Sequence, residues 1–115
     1  MDPITLIVTA LSAGAGATRR GSAPPALPDA HGELLALAQA RLRGRPNGAM
    51  VLRQHAEDPS RWTRPLAKAL AAEGADGDAR LIAAAQAVLQ VTDAPGSSRG
   101  KYTLDAASPS GQAPA

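Results

Sequence analysis

Two histidines, His31 and His55, are the candidates for acid–base or metal chemistry in a chain that holds no cysteine. A general base needs a carboxylate to orient it, and a metal needs ligands that converge on one helical face. Asp29 lies two residues before His31 and Glu33 two after it, and residues two apart do not face each other on a helix. His55 is followed by Glu57 and Asp58 beside a proline break, where helix capping accounts for the acids. Both histidines are therefore expected at the surface or half-buried. Neither HExxH nor His/Cys zinc spacing occurs. The stretch AGAGATRRG, residues 13–21, has the glycines of a phosphate loop but not the GxxxxGK[ST] pattern, and it follows a helix-like segment rather than a strand. No acid/base pair stands out, so the reading is a non-enzyme with no cofactor and no metal.

Charge narrows the partners. Twelve Lys+Arg against ten Asp+Glu leave a net charge of +2. Arg19/Arg20 and Arg41/Arg43/Arg45 form two short basic clusters without aromatics between them, unlike the stacking faces of nucleic-acid binders. Nucleic acid is not an expected partner; anionic lipid head groups are a physically reasonable one. Absence of cysteine fits a cytosolic protein.

The elements that must carry these residues are helical. Alanine is abundant, phenylalanine is missing, and Trp62 and Tyr102 are the large aromatics, so the chain makes helical turns readily but only a thin core. Asp2 can cap a first helix with Pro3 in its first turn. Leu6, Ala10 and Ala13 line a stripe that Ile4, Ile7, Val8 and Leu11 broaden until the segment is apolar nearly all round. Residues 18–30, with three prolines, read as a loop. A second helix is expected from near Asp29, with Leu34, Leu35, Ala38 and Leu42 on one face. A short third helix carries Val51, Leu52 and Ala56 inward. A fourth, with Ser60 as its cap, aligns Trp62, Leu66, Ala69 and Leu70, and Pro65 is tolerable because it lies near the first turn. A fifth, from Asp76 or Asp78 to about Val91, places Leu81, Ile82, Ala85, Val88 and Leu89 on the i, i+3, i+4, i+7 template. After Asp93 no period survives, although Lys101 to Leu104 could pair as a strand on a partner's edge. The expected fold is all-α: a bundle of four to five short helices over residues 1–93, with a flexible tail over 94–115. Trp62, Leu66, Leu70, Leu81, Ile82, Val88 and Leu89 are its expected structural core.

The opening, MDPITLIVTALSAGAGATRRG, constrains function most. Fourteen uncharged residues run from Ile4 to Ala17. No Lys or Arg precedes them, which argues against an export signal. At 1.5 Å per residue they cover about 21 Å, short of the roughly 30 Å of a bilayer's hydrocarbon. Ala10/Gly14, Ser12/Gly16 and Ala13/Ala17 repeat small residues at four-residue spacing, which lets helix backbones approach closely in lipid. Physics alone leaves two readings: a helix permanently buried in the bundle, or one that inserts conditionally.

Four segments in order, MDPITLIVTALSAGA, RQHAEDPSRWTRPLAKALAAEGAD, LIAAAQAVL and GKYTLD, give the chain a resemblance to actinobacterial Bell-domain proteins. That family resembles fungal HeLo-type domains and the four-helix executioner domain of necroptosis, and its members end in a short amyloid motif like the RIP homotypic interaction motif. The resemblance implies a helical cell-death effector of bacterial immunity that self-associates, attacks membranes through its first helix and takes its signal from an NLR-like receptor. Leu6, Ile7, Val8, Leu11, Gly14 and Gly16 would then meet the membrane. Arg19 and Arg20 would meet head groups, from a cytoplasmic protein that is conditionally at the inner face of the plasma membrane. The chain departs from the family at its end, where AASPSGQAPA lacks the hydrophobic-Gln-hydrophobic-Gly core and carries prolines that oppose stacked strands. The alternative is an adaptor that keeps its first helix buried and binds a protein partner.

Overall fold

Asp2 starts the first helix, α1 (Pro3–Arg20), as expected: its carboxylate accepts the backbone N–H of Thr5 at 3.1 Å, and Pro3 occupies the first turn. The helix runs on through Gly14 and Gly16 and stops at Gly21, whose φ of 68° is a left-handed conformation that glycine adopts without a Cβ penalty. AGAGATRRG is therefore helix up to Arg20, not a phosphate loop. The computed structural model describes residues 1–21 and 23–103.

Five further helices follow: α2 (Leu27–Leu42), α3 (Gly48–Glu57), α4 (Pro59–Ala72), α5 (Ala79–Thr92) and the short α6 (Ala94–Ser98), with a 3₁₀ turn at Ala75–Gly77 before α5. Among the described residues the fold is all-α. α1 is its hub. It packs most extensively along α5 and also touches α2, α3 and α4.

Several boundaries differ from expectation, each for a physical reason. α2 starts at Leu27 rather than near Asp29, because Pro28 suits a first turn and Leu27 is fully buried there, so that 18–20 and 27–30 of the expected 18–30 loop are helical. The residue before α4 is Asp58, and Ser60 donates its hydroxyl to the Asp58 carboxylate at 3.2 Å instead of capping the helix. Pro65 lies well inside α4 rather than in its first turn, and it is exposed. α5 begins where Asp78 accepts from the N–H groups of Arg80 and Leu81 at 3.1 and 3.2 Å.

The expectation of a tail from residue 94 is corrected for residues 94–103. Asp93 caps α6 by accepting from Gly96 N–H at 3.1 Å, and it also accepts the Tyr102 hydroxyl at 2.6 Å. Gln86 donates to the Tyr102 carbonyl at 3.2 Å, which docks the segment on α5. Tyr102 is buried and joins the core. Lys101 and Tyr102 form a turn, not a strand; Leu104 and the rest of the expected tail lie outside the described residues.

Leu66, Leu70, Leu81, Val88 and Leu89 are buried in one apolar cluster, and Ile82 is half-buried against it. Trp62 is not a core residue. It shares the stripe of Leu66 and Leu70, but it sits in the first turn of α4 and remains half-exposed outside the cluster.

Candidate functional site

α1 and its surroundings form the candidate site. From residue 6 to residue 17 no side chain is exposed. Leu6 and Ile7 are 0% exposed, Leu11 1% and Val8 4%, and all four belong to the same apolar cluster as Leu66, Leu70, Leu81, Val88 and Leu89. A helix apolar around its circumference must be covered, and here the bundle covers it. Of the residues expected to meet a membrane, these four are thus part of the protein core, Gly14 is buried and Gly16 is half-buried.

Polar ties hold α1 at intervals. At its start, the Met1 ammonium donates to the Thr103 carbonyl at 3.2 Å, so the segment after α6 straps the first turn. In its middle, Ser12 Oγ lies 3.0 Å from Nε2 of His55, which is 1% exposed. One half-turn on, Gly14 abuts the imidazole of His31. A Cβ at position 14 would come within 2.5 Å of the ring, so only glycine fits without displacing it. At its end, Arg19 donates to the carbonyls of Ala56 and Glu57, the latter at 3.4 Å. These are unsatisfied acceptors at the C-terminus of α3, where a cation also complements the helix dipole. Arg19 is exposed but tied to α3 through these carbonyls, and Arg20 is exposed beside half-buried Gly16.

His31 is half-buried, as expected, but His55 is buried. Burial pushes the pKa of both imidazoles below the ordinary 6.5, and the Arg19 charge pushes His55 further. Ser12 and His55 resemble a nucleophile and its base. Ser12 sits within α1, however, where the surrounding backbone N–H groups are committed to the helix and cannot form an oxyanion hole. The pair reads better as a hydrogen-bonded tie. Spacing to the nearby acids Glu57 and Asp58 does not report the burial of His55; the available signal was Leu52, which lies three residues before it on the same inward face.

An apolar cleft of ≈ 280 Å³ runs between α1 and α4, lined by Thr5, Val8, Thr9, Ser12, Thr63 and Ala67. On another side, Arg41 of α2 binds Asp78 at 2.6 Å and Arg45 of the following turn binds Glu73 at 3.4 Å, pairs that brace α2 and that turn against the segment leading into α5. Among the described residues no cluster of three or more His, Asp or Glu side chains could hold a metal, and no helix is long and apolar enough to cross a membrane.

Three exposed cations lie on α4. Arg61, Arg64 and Lys68 lie three and four residues apart on its outer face, the helix carries no acid, and none of the three joins an ion pair among the described residues. The chain matches no protein-family model, and no curated protein and no solved structure matches it.

Proposed function

We propose that this protein is a non-enzymatic helical effector of a bacterial immune or cell-death system, and that it permeabilises membranes by releasing α1 and self-associating. The observation that carries the reading is the identity of the buried set. Leu6, Ile7, Val8 and Leu11 are lipid-compatible side chains in one uncharged run and are also among the most buried residues of the chain. At about 1.5–3 kcal/mol for each such side chain, exposing the four to water costs roughly 6–12 kcal/mol, comparable to the stability of a whole domain at about 5–15 kcal/mol. α1 cannot leave into water; it can leave into lipid, or into contact with further copies, where the same area is covered again. Toward α2 the helix is broken at Gly21, with its left-handed φ of 68°, and Pro24 and Pro25 follow before α2 begins at Leu27. As a helix of 18 residues α1 is about 27 Å long, which suits a shallow or assembled insertion into a thinned bilayer.

The resemblance assigned head-group contact to Arg19 and Arg20. With Arg19 engaged on α3, the initial approach to an anionic surface falls to Arg20 and to the Arg61, Arg64 and Lys68 face of α4. Half-exposed Trp62 is nearby in the first turn of that helix. Basic residues attract anionic lipid, and a tryptophan suits the interface. The protein would act from the cytoplasm on the inner face of the plasma membrane, under a receptor of the NLR-like kind.

Dye-loaded vesicles test this. Anionic vesicles should leak and neutral ones should not. Reversing the three α4 cations to Glu should abolish co-sedimentation while the helical circular dichroism stays unchanged. If the full chain neither binds nor opens anionic vesicles at high concentration, the effector reading fails. The adaptor reading then takes its place. It is favoured by the ties on α1 at Thr103, His55 and Arg19, with the α1–α4 cleft as a face for a protein partner.

A further inference from the structure

The ties on α1 differ in kind. Two of them are imidazoles. They come from different helices: His31 from α2 and His55 from α3. Both press on the same short stretch of α1, Ser12 to Gly14. At Gly14 no side chain separates the helix from the His31 ring, with a hypothetical Cβ 2.8 Å from Cγ and 2.9 Å from Nε2. At Ser12 the hydroxyl is 3.0 Å from His55 Nε2.

We propose that His31 and His55 form an acid-sensitive latch on α1, which holds the helix in the bundle while both rings are neutral and releases it when they take up protons. The proposal deepens the effector reading by giving α1 a trigger, but the latch itself can be tested without lipid.

The charges around the rings set the direction. Facing His55, the charged group is Arg19 of α1, which disfavours a second cation. No charged group from α1, α3, α4 or α5 shifts His31, which feels burial alone. The carboxylates nearest in sequence, Asp29, Glu33, Glu57 and Asp58, are exposed and supply neither ring with a counter-charge. A proton on either ring would therefore be an uncompensated charge against an apolar helix. Both rings are held below their free value of 6.5, so the unfolded or released form binds more protons. The stabilisation is complete above that value and is lost as pH falls below it. Two sites acting on one helix make the response steeper than either alone.

The test compares the full chain with a His31→Phe/His55→Gln double variant and with both single variants, between about pH 7.5 and about pH 5.5. Phe keeps a ring against Gly14, and Gln keeps a polar partner for Ser12, without titration. The melting temperature of the full chain should fall on acidification by several degrees. The double variant, shown to be helical at the higher pH, should stay level, and each single variant should lie between. The carboxylates with lowered pKa, Asp2, Asp78 and Asp93, lose their contributions at lower pH and do not confuse this window. Amide exchange then locates the effect: at the lower pH residues 6–17 should lose protection ahead of residues 79–92. Parallel acid responses in the full chain and double variant would overturn the latch, as would simultaneous loss of protection in α1 and α5. Vesicle leakage at the lower pH is a separate readout. A working latch with intact vesicles would count against the effector reading alone.

Discussion

Gly14 and His31 meet without a side chain between them: a Cβ at position 14 would stand 2.5 Å from His31 Cδ2. In an exposed helix, alanine in place of glycine stabilises by about 0.5–1 kcal/mol. Here the sign should reverse, since overpacking costs about 1–3 kcal/mol. Gly14→Ala should lower the melting temperature, and Gly14→Ala with His31→Ala should recover part of the loss. A double-mutant cycle by thermal denaturation measures the coupling, and additive losses would mean that the two do not touch.

Core truncation on α1 should be severe. Leu6→Ala or Leu11→Ala removes a side chain at 0% or 1% exposure, and buried Leu→Ala changes cost about 2–5 kcal/mol. Chemical denaturation should place both variants far below Thr5→Ala, which alters an exposed position of the same helix. Equal stabilities would place α1 outside the core.

The segment after Asp93 should behave as part of the bundle. Tyr102→Ala empties a buried site, and the melting temperature should fall clearly; Tyr102→Phe keeps the ring and removes only the bond to Asp93, a smaller loss. The Tyr102 hydroxyl, with help from Gly96 N–H and Lys101, holds the Asp93 carboxyl below its ordinary value of 3.8. Stability from this group is therefore present above that value and lost as pH falls through the folded one, and Tyr102→Phe should flatten the acid limb of a stability–pH curve.

Arg41 should support α5 through its capping residue. The hydrogen bond from Arg41 is the main cause of the lowered pKa of Asp78, ahead of the Leu81 N–H and the Arg41 charge. Arg41→Met should shrink the acid dependence of stability in the same direction, seen by titrating unfolding below about pH 5, where carboxylates protonate.

Much of the fold was legible because helix physics is local. Asp2 with Pro3 marked the start of α1, and the spacing of Leu81, Ala85, Val88 and Leu89 marked α5. What failed depended on neighbours across helices. Trp62 fits the period of Leu66 and Leu70, but periodicity does not reveal that a first turn has little packed beside it. Tyr102 lies in a Gly- and Ser-rich stretch without a period, and its burial depends on Asp93 and Gln86. His55 lacked a catalytic pattern, and its role arises from Ser12, 43 residues away. The all-round apolar character of α1 was readable at once, and it correctly required a cover. Which side chains would grip it was not, because Gly14 and His31 meet only through the packing of α2 on α1.

The release of α1 can be tested by preventing it. His31 Cγ lies 2.8 Å from the Cβ that position 14 would carry, so the two Cβ atoms stand at most about 4.3 Å apart, given a C–C bond of about 1.5 Å. That bound lets the pair approach the roughly 3.5–4.5 Å a disulfide needs, and the chain has no other cysteine to compete. A Gly14→Cys/His31→Cys chain, oxidised, pins α1 to α2; reduced, it frees it. Dye release from anionic vesicles should be lost in the oxidised protein and return on reduction. Equal leakage from the two forms would contradict the release of α1 as the permeabilising step.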